Sequence, residues 1–218
     1  MKGFEKPDAD ESAFTDFPVP GLWELNGYGT PYYLAKSFPP AIDTKNIPGI
    51  SATDNPVGQY RIWFKNDFPD DDRVFLNFDG VKTAFYLYIS GKRVGYSTGS
   101  MSGAEFEITD HIDPGKNLIA LEVYRYAASS YLEDQDMWNM SGILRDVYLY
   151  HEPPAFINDI SITTDFDETF TDALINVSIM LAALKKGDFR LKVNRVRKGT
   201  KSTPYTIYDK HLTNVKDG

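Results

Sequence analysis

The sequence predicts an all-β protein in two parts: a complete β-sandwich or jelly roll, then a second sandwich with too few strands to close. Three observations lead there. From Gly58 onward, apolar and polar residues alternate over short stretches, the period of a strand with one buried face. Turns rich in Asp, Gly and Pro separate these stretches every ~8–12 residues, as in sandwiches and jelly rolls. No stretch holds a helical period over about 10 residues. Composition agrees, with 14 Tyr, 14 Phe and 3 Trp, and with 16 Gly and 13 Pro to supply turns.

Along the chain, residues 1–20 mix acids, prolines and Phe4, Phe14 and Phe17, and read as an irregular arm pinned by its phenylalanines. Residues 21–57 are punctuated by Gly and Pro with no sustained period, so they are expected to form an aromatic loop region. Tyr60, Ile62 and Phe64 then alternate with Arg61, Trp63 and Lys65, which predicts a strand. Arg73–Phe78, Thr83–Ser90, Arg93–Tyr96, Ala104–Ile108 and Asp146–Tyr150 read as further strands. Asn117–Tyr126 is apolar on both faces and is expected to be central.

His151-Glu152-Pro153-Pro154 has linker chemistry. Beyond it, Phe156–Thr163, Leu174–Ile179, Phe189–Val193 and Tyr205–Tyr208 give three or four strands, whereas an immunoglobulin-like sandwich needs about 100 residues. The expected layout is therefore an arm (1–20), a complete sandwich (21–152) and an incomplete immunoglobulin-like sandwich (153–218), with 218 residues as an expression boundary within a longer protein.

Composition also excludes classes of function. The chain has no cysteine, so thiolate catalysis, zinc-thiolate sites and disulfides are excluded. A net charge of −8 and a pI near 4.9 argue against nucleic acid, whose phosphates attract Lys and Arg. The apolar run Ile179–Leu184 is far too short to span a membrane, and the N-terminus lacks the apolar region of a signal peptide. The chain is expected to be soluble, in cytoplasm or periplasm. His111, His151 and His211 are spread along the chain near turns and are expected to be exposed.

The densest polar cluster is Tyr131-Leu132-Glu133-Asp134-Gln135-Asp136-Met137-Trp138. A sugar needs carboxylates for its hydroxyls and an aromatic ring for its C–H face, and carboxylate oxygens also suit a hard cation. The alternative is an acidic surface loop with Trp138 folded into the core. Glu133, Asp134 and Asp136 could supply a glycosidase acid and nucleophile only if two of them sat in distinct environments, and nothing in the sequence shows that.

The segment from Tyr131 through Asn139-Met140-Ser141-Gly142-Ile143-Leu144-Arg145-Asp146-Val147 closely resembles the signature of bacterial β-galactosidases of glycoside hydrolase family 2. Three further segments are similar, in order: Trp23-Glu24-Leu25-Asn26-Gly27-Tyr28-Gly29-Thr30-Pro31, Asp54-Asn55-Pro56-Val57-Gly58-Gln59-Tyr60, and Phe78-Asp79-Gly80-Val81 with Ala84-Phe85, Gly91 and Val94-Gly95-Tyr96. The resemblance covers Gly21 to Tyr150 strongly.

It implies a galactose-binding-domain-like jelly roll, then an immunoglobulin-like sandwich, then a (β/α)₈ barrel carrying both catalytic glutamates of a retaining mechanism. This chain would hold no catalytic residue and would be inactive alone. The parent would hydrolyse terminal β-D-galactosyl residues, use Na⁺ and Mg²⁺, and assemble as a homo-oligomer. The resemblance places Asp136 as a ligand of galactose and of sodium. Trp138 either lines the sugar mouth or buttresses the loop. The family's substrate-contacting Asn falls on Ala35 here, leaving Lys36 as the alternative contact. Two rival readings remain: a stand-alone carbohydrate-binding module, and the front domain of a family 2 glucuronidase or mannosidase.

Overall fold

The computed structural model describes residues 1–33, 47–51, 53–133, 136–183, 187–196 and 203–215. Among them, regular structure consists of strands and short 3₁₀ turns, with no α-helix. The chain divides into two compact units, Met1–His151 and Glu152–Gly218.

Among the described residues, twelve strands belong to the first unit or reach its end. They are β1 (Gly21–Leu22), β2 (Tyr32–Tyr33), β3 (Val57–Asn66), β4 (Arg73–Phe78), β5 (Val81–Lys82), β6 (Ala84–Ile89), β7 (Lys92–Ser97), β8 (Ala104–Glu107), β9 (Gly115–Tyr124), β10 (Trp138–Asn139), β11 (Gly142–Ile143) and β12 (Val147–Glu152). A four-stranded sheet in the order β3-β9-β6-β7 and a three-stranded sheet in the order β12-β4-β8 form the sandwich. β9 is central, as its two apolar faces predict. Its inward residues Val123, Leu121 and Ile119 stand opposite Phe85, Leu87 and Ile89 of β6. All six join Val74, Leu76 and Phe78 of β4 in one core. Each such side chain, fully buried, contributes roughly 1.5–3 kcal/mol.

Local chemistry fixes the ends of these strands. The β6–β7 hairpin turns through Ser90 (φ 46°) and Gly91 (φ 87°), the two left-handed residues that a two-residue loop demands. The buried Asn117 side chain exchanges hydrogen bonds with both backbone groups of Asp113 (3.0 and 2.7 Å) and so shapes the turn into β9.

Residues 1–20 form no strand or helix but pack on the outer face of the four-stranded sheet. Phe4 is buried and meets Tyr88 edge-on, with ring centroids 5.9 Å apart. Arg61 donates to the carbonyls of Phe4 and Lys6 and forks onto Glu11 at 3.1 and 2.7 Å. The Arg61 side chain is only 4% exposed, so the polar parity of β3 is covered rather than solvated. Ala120, opposite both Arg61 and Tyr88 in register, is fully buried for the same reason.

The described residues of the second unit form four strands, longer than their sequence periods indicate: β13 (Ala155–Phe166), β14 (Ala173–Ala183), β15 (Gly187–Arg195) and β16 (Tyr205–Val215). They pair as two separate antiparallel hairpins, β13 with β14 and β15 with β16. Among residues 152–182, 190–196 and 203–212, none is buried.

Candidate functional site

Three segments with little periodicity converge at one end of the first unit, around Trp23. Its indole N–H donates to the Tyr60 hydroxyl, and its backbone N–H donates to the Ser141 carbonyl at 2.9 Å. Burial of Tyr60 pushes its pKa up to about 12. Two glycines let the chain pass this ring. A Cβ on Gly58 would lie 2.4 Å from the indole, and one on Gly142 would lie 2.5 Å from the Gly21 carbonyl oxygen. Gly142 also holds φ at 131°, where a side chain is strained.

Glu24 follows Trp23 and is buried. Its Oε2 accepts the Ser141 backbone N–H at 2.9 Å, and its Oε1 faces Arg125 Nη2 at 3.3 Å. Arg125 donates to the Thr30 carbonyl at 3.0 Å and lies over the rings of Tyr32 (5.0 Å) and Tyr126 (5.7 Å). The Tyr32 and Tyr126 hydroxyls meet at 2.8 Å. Burial, then this bond, raises the Tyr32 pKa above its ordinary value. The Asn55 side chain grips both backbone groups of Tyr126 at 2.8 and 2.9 Å. A second junction ties Phe78-Asp79-Gly80-Val81 to the segment after Ser141. β5 pairs with β11, and Arg145 donates to the carbonyls of Asp79 (3.2 Å) and Met101 (2.7 Å).

These contacts hold a small exposed platform. β2 pairs with β10, so Tyr33 stands opposite Trp138 and Tyr32 opposite Asn139. The Tyr33 and Trp138 rings are 5.8 Å apart at 60°. The Tyr33 hydroxyl donates to the Asp136 carboxylate, and that bond is the main cause of a raised Tyr33 pKa. Asp136 is exposed, and Trp138 keeps 55% of its surface, so the reading that buries Trp138 in the core does not hold. Glu133 turns elsewhere and accepts the Ser100 backbone N–H at 3.3 Å. Asp134, Gln135, Ala35 and Lys36 lie outside the described residues.

Tyr33 has the most direct contact with Asp136, and the sequence offered no signal for it, because no local period pairs position 33 with position 138. The three histidines lie on separate elements, with His151 Nδ1 2.5 Å from Asp72. Among the described residues, no group of three or more His, Asp or Glu could hold a metal ion. The exposed Asp136 carboxylate nonetheless presents oxygen of the kind a hard cation takes, a fit for one position of a coordination shell.

A β-sandwich whose loop end presents a carboxylate beside exposed aromatic rings has the form of a carbohydrate-recognising domain. The family model described as glycosyl hydrolases family 2, sugar binding domain, matches residues 6–153, and the chain belongs to that family. It is 41% identical over 181 residues to a β-galactosidase of Priestia megaterium, covering 82% of this chain and 17% of the relative. It is 40% identical over 183 residues to a β-galactosidase of Clostridium acetobutylicum, covering 83% of this chain and 20% of the relative. The chain thus spans a fifth or less of these relatives' length.

Among solved structures, a β-glucuronidase of Bacteroides uniformis shares the fold with TM-score 0.69 at 18% identity, covering 98% of this chain and 24% of that one. A β-glycosidase of Bacteroides vulgatus gives TM-score 0.68 at 21% identity, covering 97% and 25%.

Proposed function

We propose that this chain is the sugar-binding front end of a retaining β-galactosidase and lends Asp136 to a galactoside site completed by a barrel elsewhere in the parent. The observation that carries the reading is the exposed Asp136 carboxylate, held by the Tyr33 hydroxyl beside Trp138. The ~40% identity to proteins named β-galactosidase favours galactosides over glucuronides, since the glucuronidase likeness at 18% identity speaks for the fold alone. The acid, base and nucleophile would come from the barrel, so this chain alone has no hydrolytic activity.

The role of Asp136 is recognition: its carboxylate accepts hydrogen bonds from galactosyl hydroxyls. It also supplies one oxygen toward a sodium ion, whose other ligands come from outside this chain. A sodium ion there would add positive charge that orders the sugar's oxygens. No described residue is assigned to Mg²⁺. Trp138 buttresses the Asp136 loop through Tyr33. The second unit is read as two hairpins of an immunoglobulin-like sandwich, because the exposed Ile160 and Ile162 share a face with the half-buried Ile179 and the exposed Val177 opposite them.

In the parent enzyme, Asp136→Ala is expected to raise KM for a nitrophenyl galactoside at least tenfold, or ~1.4 kcal/mol of binding, and to weaken activation by sodium. Unchanged kinetics would overturn the assignment. Calorimetry of this chain with galactose and lactose addresses the stand-alone module. No binding is expected, and millimolar or tighter binding would favour the module.

A further inference from the structure

The platform that carries Asp136 consists of two strands of two residues each, β2 and β10, and so short a pair is not stable on its own. Something must fix its geometry. Trp138 and Tyr33 are both about half exposed, so hydrophobic burial does little of this.

One buried ion pair grips the backbone on both sides of the platform. Glu24 Oε2 holds the Ser141 N–H, two residues after β10. Arg125 holds the Thr30 carbonyl, two residues before β2, and stacks on Tyr32 within β2. The two side chains are 0% and 8% exposed. Arg125 is itself seated from the sandwich: its backbone N–H donates to Pro56 (2.9 Å) and its carbonyl accepts from Thr83 (2.8 Å). The end of the central strand is thereby coupled to the backbone that flanks both of the platform's arms.

An ion pair is an expensive way to fill this space. Burying two charges carries a desolvation penalty that pairing must offset, and apolar residues of like volume are often as stable. What the pair supplies is directionality: a carboxylate and a planar guanidinium fix two backbone groups at set angles.

We propose that Glu24 and Arg125 are positioning residues for sugar recognition, holding β2 and β10 so that Tyr33 aims the Asp136 carboxylate. The inference rests on the reading of Asp136 as a galactosyl ligand, but its structural half can be tested without it.

The gentlest variant is Glu24→Gln, whose amide oxygen can still accept from Ser141 while the ion pair is lost. Amide hydrogen exchange on this chain is the first measurement. In E24Q, Tyr33, Trp138 and Ser141 are expected to exchange about tenfold faster, while β6 and β9 keep their protection. Unchanged exchange at those sites, or equal acceleration throughout the sandwich, overturns the proposal. A fold too weakened to measure is met by pairing E24Q with Arg125→Met, which removes both charges. There too, loosening confined to the platform supports the proposal and uniform loosening overturns it.

The second measurement is a double-mutant cycle in the parent enzyme on KM for a nitrophenyl galactoside. E24Q is expected to raise KM about tenfold with kcat changed less than twofold, and to add little once Asp136 is Ala. A full additional KM effect in the D136A background overturns the positioning role. If D136A alone leaves KM unchanged, the reading of Asp136 fails, and the exchange pattern still decides whether Glu24 and Arg125 hold the platform.

Discussion

The two units obey the same local rule and end in different states. In the first, β6 alternates Phe85, Leu87 and Ile89 inward with Tyr86 and Tyr88 outward, and the inward set is almost wholly buried. In the second, β13 places Ile160 and Ile162 on one face with equal regularity, yet these are 50% and 63% exposed. Alternation makes a strand amphipathic and hairpin pairing satisfies its backbone, but burial requires a facing sheet. The first unit has one, because β4 lays Val74, Leu76 and Phe78 against β6 and β9. Along β13 no described side chain is buried, and the strands of the second unit are joined by their cross-strand ladders and by pairs such as Arg190–Asp209 at 2.6 Å.

This contrast can be broken or sharpened by experiment. The largest effect belongs to the closed core. Phe78 is 0% exposed and touches Phe85 at 4.8 Å between ring centroids, so Phe78→Ala is expected to destabilise the first unit by ~3–5 kcal/mol. Urea unfolding followed by tryptophan fluorescence reports this, and a loss below about 1 kcal/mol would mean that the core is looser than it looks.

A smaller effect comes from the arm. Arg61, and then Trp63, hold the Glu11 carboxyl below its ordinary value of 4.5 by hydrogen bonding. A carboxyl depressed by folding contributes stability that is complete above its unfolded value and is lost as pH falls through its folded value. The arm should therefore stay clamped at neutral pH and loosen as the solution is acidified below 4.5. Protease cleavage within residues 1–20 should rise over that range, and Glu11→Gln should remove most of the pH dependence.

The smallest effect is expected in the second unit. Ile162→Ala removes a side chain that is 63% exposed and should change stability by no more than ~0.5 kcal/mol in this chain. A cost near that of Phe78→Ala would show that the hairpins bury this face in solution.

The fold was largely legible in the sequence because strand period and turn chemistry are local. β4, β6, β9 and β12 all fall where the alternation places them, and β9 is central, as its two apolar faces require. The long alternation Tyr60–Lys65 was legible as a strand, but not the fate of Arg61: the arm that buries it starts more than 50 residues away. In the region read as an aromatic loop, β1, a 3₁₀ turn at Glu24–Asn26, and β2 form only because β11 and β10 come to meet them. Two-residue strands carry no period to read.

The candidate site divides in the same way. The cluster around Asp136 stands out by composition, since three carboxylates and a tryptophan in one loop are visible in any reading of the residues. That Glu133 faces the Ser100 loop while Asp136 faces Tyr33 is invisible there, because adjacent carboxylates differ only in what the fold brings to them.

The sequence by itself determined the all-β class, the position of most strands along the chain and, through the long motif from Tyr131 to Val147 with shorter ones around Trp23, Asn55 and Phe78, the family. These are properties of short stretches, where side-chain type acts on its own backbone. Tertiary structure alone decided which motif residues are scaffold and which face solvent. Glu24 meets Ser141 across 117 residues, and Gly58 must be glycine only because Trp23 fills the space beside it. Such assignments depend on close packing and on ion pairs between distant segments, which exist only once the sandwich has closed.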